Sequence, residues 1–133
     1  MYTFKKEERL CNKKLLEKLF RSGSSFLCYP FRVSWMPVEA MLPATVQVVF
    51  GVSKKRYRRA VDRNLIKRRM RETYRLHKEK LLYLPLQQQN QQLVLSINYI
   101  GKEITDFKFM DKKMVKLLLQ TCEQVNASHV KVV

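Results

Sequence analysis

Residues Ser53–Arg75 read SKKRYRRAVDRNLIKRRMRETYR. From Lys54 to Arg71, ten of eighteen residues are Lys or Arg, and Asp62 is the single acid. Such a density of charge repels itself unless a polyanion relieves it. The stretch is nevertheless patterned as a helix, not as a basic tail. Val61, Ile66, Met70 and Tyr74 recur through it, and neither Gly nor Pro interrupts it. With successive residues about 100° apart, Ile66, Met70, Tyr74, His77 and Leu81 fall on one narrow stripe, the expected buried face. Asn64, Lys67, Arg68, Arg71 and Arg75 fall on another. Guanidinium forks one turn apart suit successive phosphates of a nucleic-acid backbone, because their planar donors engage phosphate bidentately. Asn64 adds an uncharged donor and acceptor suited to a 2′-hydroxyl, a base edge or a metal-bound water. Lys54, Lys55, Arg58 and Arg59 carry the charge back into the connector that precedes the helix.

The flanking sequence supplies a sheet for this helix. Residues 44–52, ATVQVVFGV, place Val46, Val48, Phe50 and Val52 on one face of a strand leading into Ser53. The helix is expected from about Arg58 to about Tyr83, closed by Pro85, with Gln87–Gln92 as a polar connector. Residues 93–100, LVLSINYI, read as a strand apolar enough for a sheet interior, ended by Gly101. A last helix is expected from about Phe107 to about Val125, with Met114, Leu118, Cys122 and Val125 on one stripe. Upstream, residues 1–10 read as a basic, extended arm, and 12–21 as a helix capped by Asn12 and ended by Ser22-Gly23-Ser24. Residues 25–36 form one or two strands interrupted at Tyr29-Pro30, with Phe31, Val33 and Trp35 on one face. Pro37 and Pro43 bracket a loop, and residues 126–133 are expected to fray. The economical architecture is one α+β sandwich spanning residues 1–133.

Composition narrows the partner. The chain has 133 residues and a formal net charge of +16, with 46% hydrophobic residues, so the charge does not signal disorder. Nucleic acid is the first class of partner for such a chain, and an anionic membrane the second. A membrane-surface helix needs a broad apolar face, which the narrow stripe here does not offer. No apolar run approaches the roughly 20 residues of a membrane span, and the N-terminus lacks a signal-peptide pattern. Cys11, Cys28 and Cys122 are widely spaced without a CxxC pair, and only His77 and His129 accompany them, which argues against zinc and for thiols kept reduced in the cytoplasm. The 11 acids are scattered, and no HExxH, GxSxG or glycine-rich phosphate loop occurs, so no catalytic or metal-binding residue is expected in the protein itself. The cations are too many and too uniform for base reading by a DNA recognition helix. RNA recognised by shape and backbone fits better. Phe31 and Trp35, with Phe20 nearby in sequence, are candidates to stack unpaired bases, although an aromatic stripe at strand spacing is also the pattern of a core.

Ser53-Lys54-Lys55, then Arg59-Ala60-Val61, then Arg63-Asn64-Leu65-Ile66-Lys67-Arg68 and Arg71-Glu72, resemble in order and spacing the signature of the bacterial ribonuclease P protein subunit. The resemblance extends in layout over roughly residues 5–123, through the basic arm, the helix ending Leu19-Phe20-Arg21-Ser22-Gly23 and the strand entering Ser53. It implies an αβββαβα, ribosomal-protein-like two-layer sandwich in which the long helix joins parallel strands by a left-handed crossover, against the usual handedness. It implies that a partner RNA is the catalyst and that Mg²⁺ for hydrolysis is held mainly by RNA, with no cofactor on the protein alone. Precursor tRNA would be the substrate, and its single-stranded 5′ leader would lie in a cleft beside the sheet. The signature contacts fall on Arg63, Asn64, Lys67, Arg68 and Arg71, with Lys54 and Lys55 ahead of them, and the cleft aromatics near Phe20 and Phe31. Strand alternation adds Trp35. Two positions depart from the family pattern: Leu65 stands where Arg is usual, so that one RNA contact is missing or Arg69 supplies it from the next turn, and Leu16 stands where many members carry an aromatic. A non-catalytic, ribosomal-type RNA-binding protein is the alternative with the same charge and layout.

Overall fold

The computed structural model describes residues 4–39 and 42–132. The first three residues of the expected arm, residues 40–41 of the expected loop and Val133 lie outside the described residues. Among the described residues, four strands form one sheet: β1 (Ser24–Cys28), β2 (Phe31–Pro37), β3 (Val46–Val52) and β4 (Leu93–Tyr99), in the order β1-β2-β4-β3. β1 pairs antiparallel with β2 and β2 with β4, whereas β3 and β4 run parallel. The parallel pair requires a crossover, and the basic segment provides it. β4 is central and buried along almost its whole length, which is why it reads as a nearly continuous apolar run.

Among the described residues, four α-helices accompany the sheet: α1 (Lys13–Ser22), α2 (Ala60–Lys78), α3 (Leu84–Gln88) and α4 (Phe107–Val132). Asn12 caps α1 as expected, accepting from the amides of Lys14 at 3.0 Å and Leu15 at 3.2 Å. Gly23 ends α1 where the chain passes so close that a Cβ would lie 2.8 Å from a Leu19 methyl. Ile66, Met70 and Tyr74 of α2 are fully buried and meet Met110, Met114, Leu117 and Leu118 of α4 over the Val33, Trp35, Leu95 and Ile97 face of the sheet. α1 covers the opposite face, packing Leu19 on Met36 and Val94. The sandwich therefore carries a third, partial layer, and only part of the second sheet face lies under a helix.

Pro85 does not close the long helix. After Lys78 the backbone widens into a π turn over Glu79–Tyr83, where the amide of Leu84 bonds back to the carbonyl of Glu79. The chain then passes Pro85 and continues as α3 to Gln88. Proline removes an amide and clashes with the carbonyl four residues back, and a widened turn accommodates both. The Leu81 carbonyl accepts instead from the Cys122 thiol of α4 at 3.2 Å. Burial pushes that thiol up to about 11, so it remains a donor. Gln87 and Gln88 thus belong to a helix, and the connector shrinks to residues 89–92. Gln92 stitches the neighbouring loop through Leu42 and Ala44. α4 also runs on to Val132, past its expected end near Val125, so the expected frayed tail continues the helix.

The N-terminal segment is tied down rather than loose. Arg9 bridges to Val48, and the Leu10 amide bonds the Val48 carbonyl at 2.9 Å, covering part of the open edge of β3. Glu8, in a short 3₁₀ turn (Lys6–Glu8), is buried against the Lys78 ammonium and accepts from the Tyr83 hydroxyl at 2.5 Å. Phe4 lies 5.5 Å from that ammonium and edge-on to Tyr74. Burial raises the Glu8 carboxyl, but Lys78, Tyr83 and the Lys5 amide pull it, on balance, below the ordinary carboxylate range.

Candidate nucleic-acid interface

The charged connector is pinned to the fold by hydrogen bonds from Tyr57 and Arg56. Tyr57 is buried among the cations and donates to the Gly101 carbonyl at 2.6 Å. Arg56 reaches the adjoining Ile100 carbonyl, and its amide bonds Ser53 Oγ at 3.3 Å. With Tyr57 and Arg56 fastened to the end of β4, Lys54, Lys55, Arg58 and Arg59 are left exposed around the rim. Arg63 is turned back on the same loop, donating to the carbonyls of Tyr57 at 2.9 Å and Arg58 at 2.8 Å. Expected as an RNA contact, it fixes the angle between the connector and the first turn of α2.

Along α2, Asn64, Arg68 and Arg71 are exposed and Lys67 is half-buried, so the structure brings these expected residues to one side of the helix. Arg75 continues the row but is paired with Glu72, which raises the Arg75 guanidinium and lowers the Glu72 carboxyl. Lys67 and Arg71 border an open groove of about 530 Å³ flanked by β3 and the N-terminal segment. Arg9 and Cys11 share its wall, and Phe4, Val49 and Phe50 give it an apolar lining. Sequence reasoning missed Arg9 and Phe4 because only the bridge to Val48 and the Glu8–Lys78 pair bring the arm beside α2.

The aromatic candidates separate. Phe20, near the end of α1, is 59% exposed. Phe31 and Trp35 are 0% and 3% exposed and lie on the sheet face covered by α2 and α4. Phe31 packs edge-on against Tyr99, and the Trp35 indole donates to Gln124 of α4 at 2.8 Å. Neither ring can stack a base: expected in a leader cleft, both are core residues. Alternation along β2 correctly separates two faces but does not say which one the helices cover. The uncovered face carries Arg32 and Ser34 of β2. Register aligns Leu27, Arg32, Asn98 and Gly51 in one row across the sheet; in the next, Ser25 and Ser34 lead to Ser96, which is buried, and Val49, which packs toward the α1 cluster. A shallow polar surface, with Phe20 and Leu27 exposed, therefore lies beside α1.

A protein-family model described as ribonuclease P matches residues 4–121. The ribonuclease P protein component of Porphyromonas gingivalis is 34% identical over 126 residues, covering 95% of this chain and 91% of that protein. The chain belongs to the ribonuclease P protein family. A further relative, the ribonuclease P protein component of Chlorobium phaeobacteroides, is 33% identical, covering 87% of this chain and 86% of that protein. The solved ribonuclease P protein of Thermotoga maritima superposes with a TM-score of 0.67 at 22% identity, covering 85% of this chain and 96% of that one. The Staphylococcus aureus protein gives 0.66 at 18% identity, covering 86% and 94%. At those identities the two structures speak for the fold.

Arg69, one turn on from Leu65, is tied to the protein's own backbone. The Arg69 guanidinium donates to the Thr105 carbonyl at 2.6 Å, which commits it to the segment between β4 and α4. Leu65 is half-buried. This chain therefore presents Asn64, Lys67, Arg68 and Arg71 without a cation at the third signature position.

Proposed function

We propose that this chain is the protein subunit of ribonuclease P. It binds the catalytic RNA through the exposed cations of α2 and its connector, and it holds the single-stranded 5′ leader of precursor tRNA on the uncovered sheet face beside α1. The RNA performs the endonucleolytic step that yields the mature tRNA 5′ end, in the cytoplasm. One observation carries the reading: in a chain of this family, Tyr57, Arg56 and Arg63 lock the connector onto the sheet and leave Lys54, Lys55, Arg58, Arg59, Arg68 and Arg71 pointing outward. A fixed array of donors loses less entropy on binding than a flexible tail.

Among the described residues no three His, Cys, Asp or Glu side chains gather as a metal site, and four of the carboxylates already have partners. Glu8 is taken by Lys78, Asp111 by His77 and Glu72 by Arg75, and the Asp106 side chain caps α4 at the Phe109 amide. Mg²⁺ supplies hydrolytic chemistry when held by RNA, and this chain contributes cations and a surface for a single strand. Phe20 offers an exposed ring to an unpaired base, and Arg32, Ser34 and Asn98 offer donors to its backbone.

Recovery of RNA crosslinked to the protein in its native cells tests the assignment. The expected product is the ribonuclease P RNA, with contacts mapping to residues 54–71. Recovery of ribosomal RNA in its place would favour a structural ribosomal role and overturn the proposal.

A further inference from the structure

α4 buries Met110, Met114, Leu117, Leu118 and Val125 against the sheet and α2. On its opposite side Lys108, Lys112 and Lys116 are exposed. Their spacing of one residue in four sets them in a single row, about 6 Å apart along the axis. Like charges so placed disfavour a helix unless something neutralises them. Two of the nearby acids are engaged elsewhere: Asp111 faces His77 of α2 at 2.8 Å, and Asp106 accepts from the Phe109 amide at 2.8 Å; Glu103 and Glu123 are exposed at the two ends of the row. Among the described residues, none of the three lysines stands in an ion pair. Lys113 adds a fourth cation at the flank, its ammonium 5.6 Å from the Phe109 ring.

We infer that this lysine row is a second RNA-backbone contact surface, separate from the signature helix, which holds one strand of another segment of the same RNA. The inference rests on the reading of the chain as an RNA-binding subunit. α2 and α4 lie side by side on one face of the sheet and run in the same direction, joined by Arg69 to Thr105, His77 to Asp111 and Leu81 to Cys122. Adjacent packed helices lie about 8–10 Å apart, so two basic rows stand abreast on the outer side of one rigid layer. The row suits a regular polyanion because its charges recur at every turn. An anionic membrane would need a broad apolar face beside the lysines, and the exposed Phe107, Phe109 and Leu119, set on different sides of α4, do not make one. Lysine, a flexible point charge, also suits backbone contact without sequence reading.

Two measurements with the ribonuclease P RNA of the same organism test it. Binding of the wild type, of K108Q/K112Q/K116Q and of R68A/R71A is followed between about 50 and about 200 mM salt. Three lost phosphate contacts should lower the log–log salt slope of the α4 variant by roughly 2–3, so its affinity falls about 40-fold less than that of the wild type over this range. An unchanged slope in the α4 variant, with a reduced slope in R68A/R71A, overturns the inference and leaves the signature helix as the RNA contact. Unchanged slopes in both overturn the RNA reading itself. The second measurement needs no substitution: lysine acetylation of the wild-type protein, read by mass spectrometry with and without RNA. Lys108, Lys112 and Lys116 should be protected by the RNA. Equal reactivity in its presence, or protection only by phosphatidylserine vesicles, would overturn the inference.

Discussion

Replacing Lys78 with Met should destabilise this protein far more than removal of any other lysine. Lys78 is 1% exposed, and its ammonium pairs with Glu8, which is 6% exposed. Taking away one partner of a buried pair leaves an uncompensated charge and costs about 3–5 kcal/mol. At roughly 3–5 °C per kcal/mol for a chain of this size, the midpoint of thermal unfolding should fall by about 10–20 °C. Replacing both partners with apolar residues, as Glu8→Leu with Lys78→Met, removes the desolvation cost with the pair and should recover most of the loss. The effect should also depend on pH. The Glu8 carboxyl lies below its ordinary value in the folded protein. Its contribution is therefore complete above the unfolded carboxylate value of about 4.3 and is lost as pH falls through the lower folded value. In Lys78→Met, burial dominates and raises Glu8, so the stability gap to the wild type should narrow in acid. Urea unfolding of the three proteins at neutral and acidic pH measures all of this. A Lys78→Met midpoint close to the wild type, or a double variant weaker than the single one, would refute the reasoning. The same pair holds Arg9 beside Lys67 and Arg71, so Lys78→Met should also weaken RNA binding.

The remaining predictions concern the interface. Arg68→Ala with Arg71→Ala should leave unfolding unchanged, because both residues are exposed, and should lower the log–log salt slope of RNA binding by roughly 1.4–1.8 in a filter-binding titration. Phe20→Ala should weaken binding of leader-bearing precursor tRNA by about 1–3 kcal/mol, the range for one base stacked on one ring, and leave binding of mature tRNA unchanged. Trp35→Ala should do the reverse, costing about 3–5 kcal/mol of stability through its buried ring with no selective effect on the leader. Tyr57→Phe should cost about 1 kcal/mol by unfolding and should loosen the connector, read as a lower affinity for RNA.

Much of this molecule is legible in its residues. The stripe of Ile66, Met70 and Tyr74 docks α2 as periodicity requires, and Asn12 caps α1 where a short polar acceptor precedes an apolar run. What escapes depends on contacts between distant segments. Lys78 lies between Tyr74 and Arg71 around the wheel of α2, and nothing local distinguishes it from the exposed cations. Its burial is decided by Glu8, 70 residues away in sequence. Phe31 and Trp35 sit on a face whose aromatic character suits a core as well as a base platform, and α4 decides between them. Pro85 is a helix breaker by itself, yet the π turn ahead of it and the thiol from α4 let the helix pass. In the candidate interface, exposed cations were readable from charge. Arg63, Arg69 and Arg75 were not separable from them, because only the fold shows which guanidinium is spent on the protein's own carbonyls and carboxylates.

Cleavage of precursor tRNA by the ribonuclease P RNA of the same organism, at a Mg²⁺ concentration limiting for the RNA alone, tests the central claim most directly. Added protein should accelerate release of the 5′ leader, should do nothing without the RNA, and should lose most of its effect in the R68A/R71A variant. An unchanged rate on adding the wild-type protein, or leader release by the protein alone, would contradict the account.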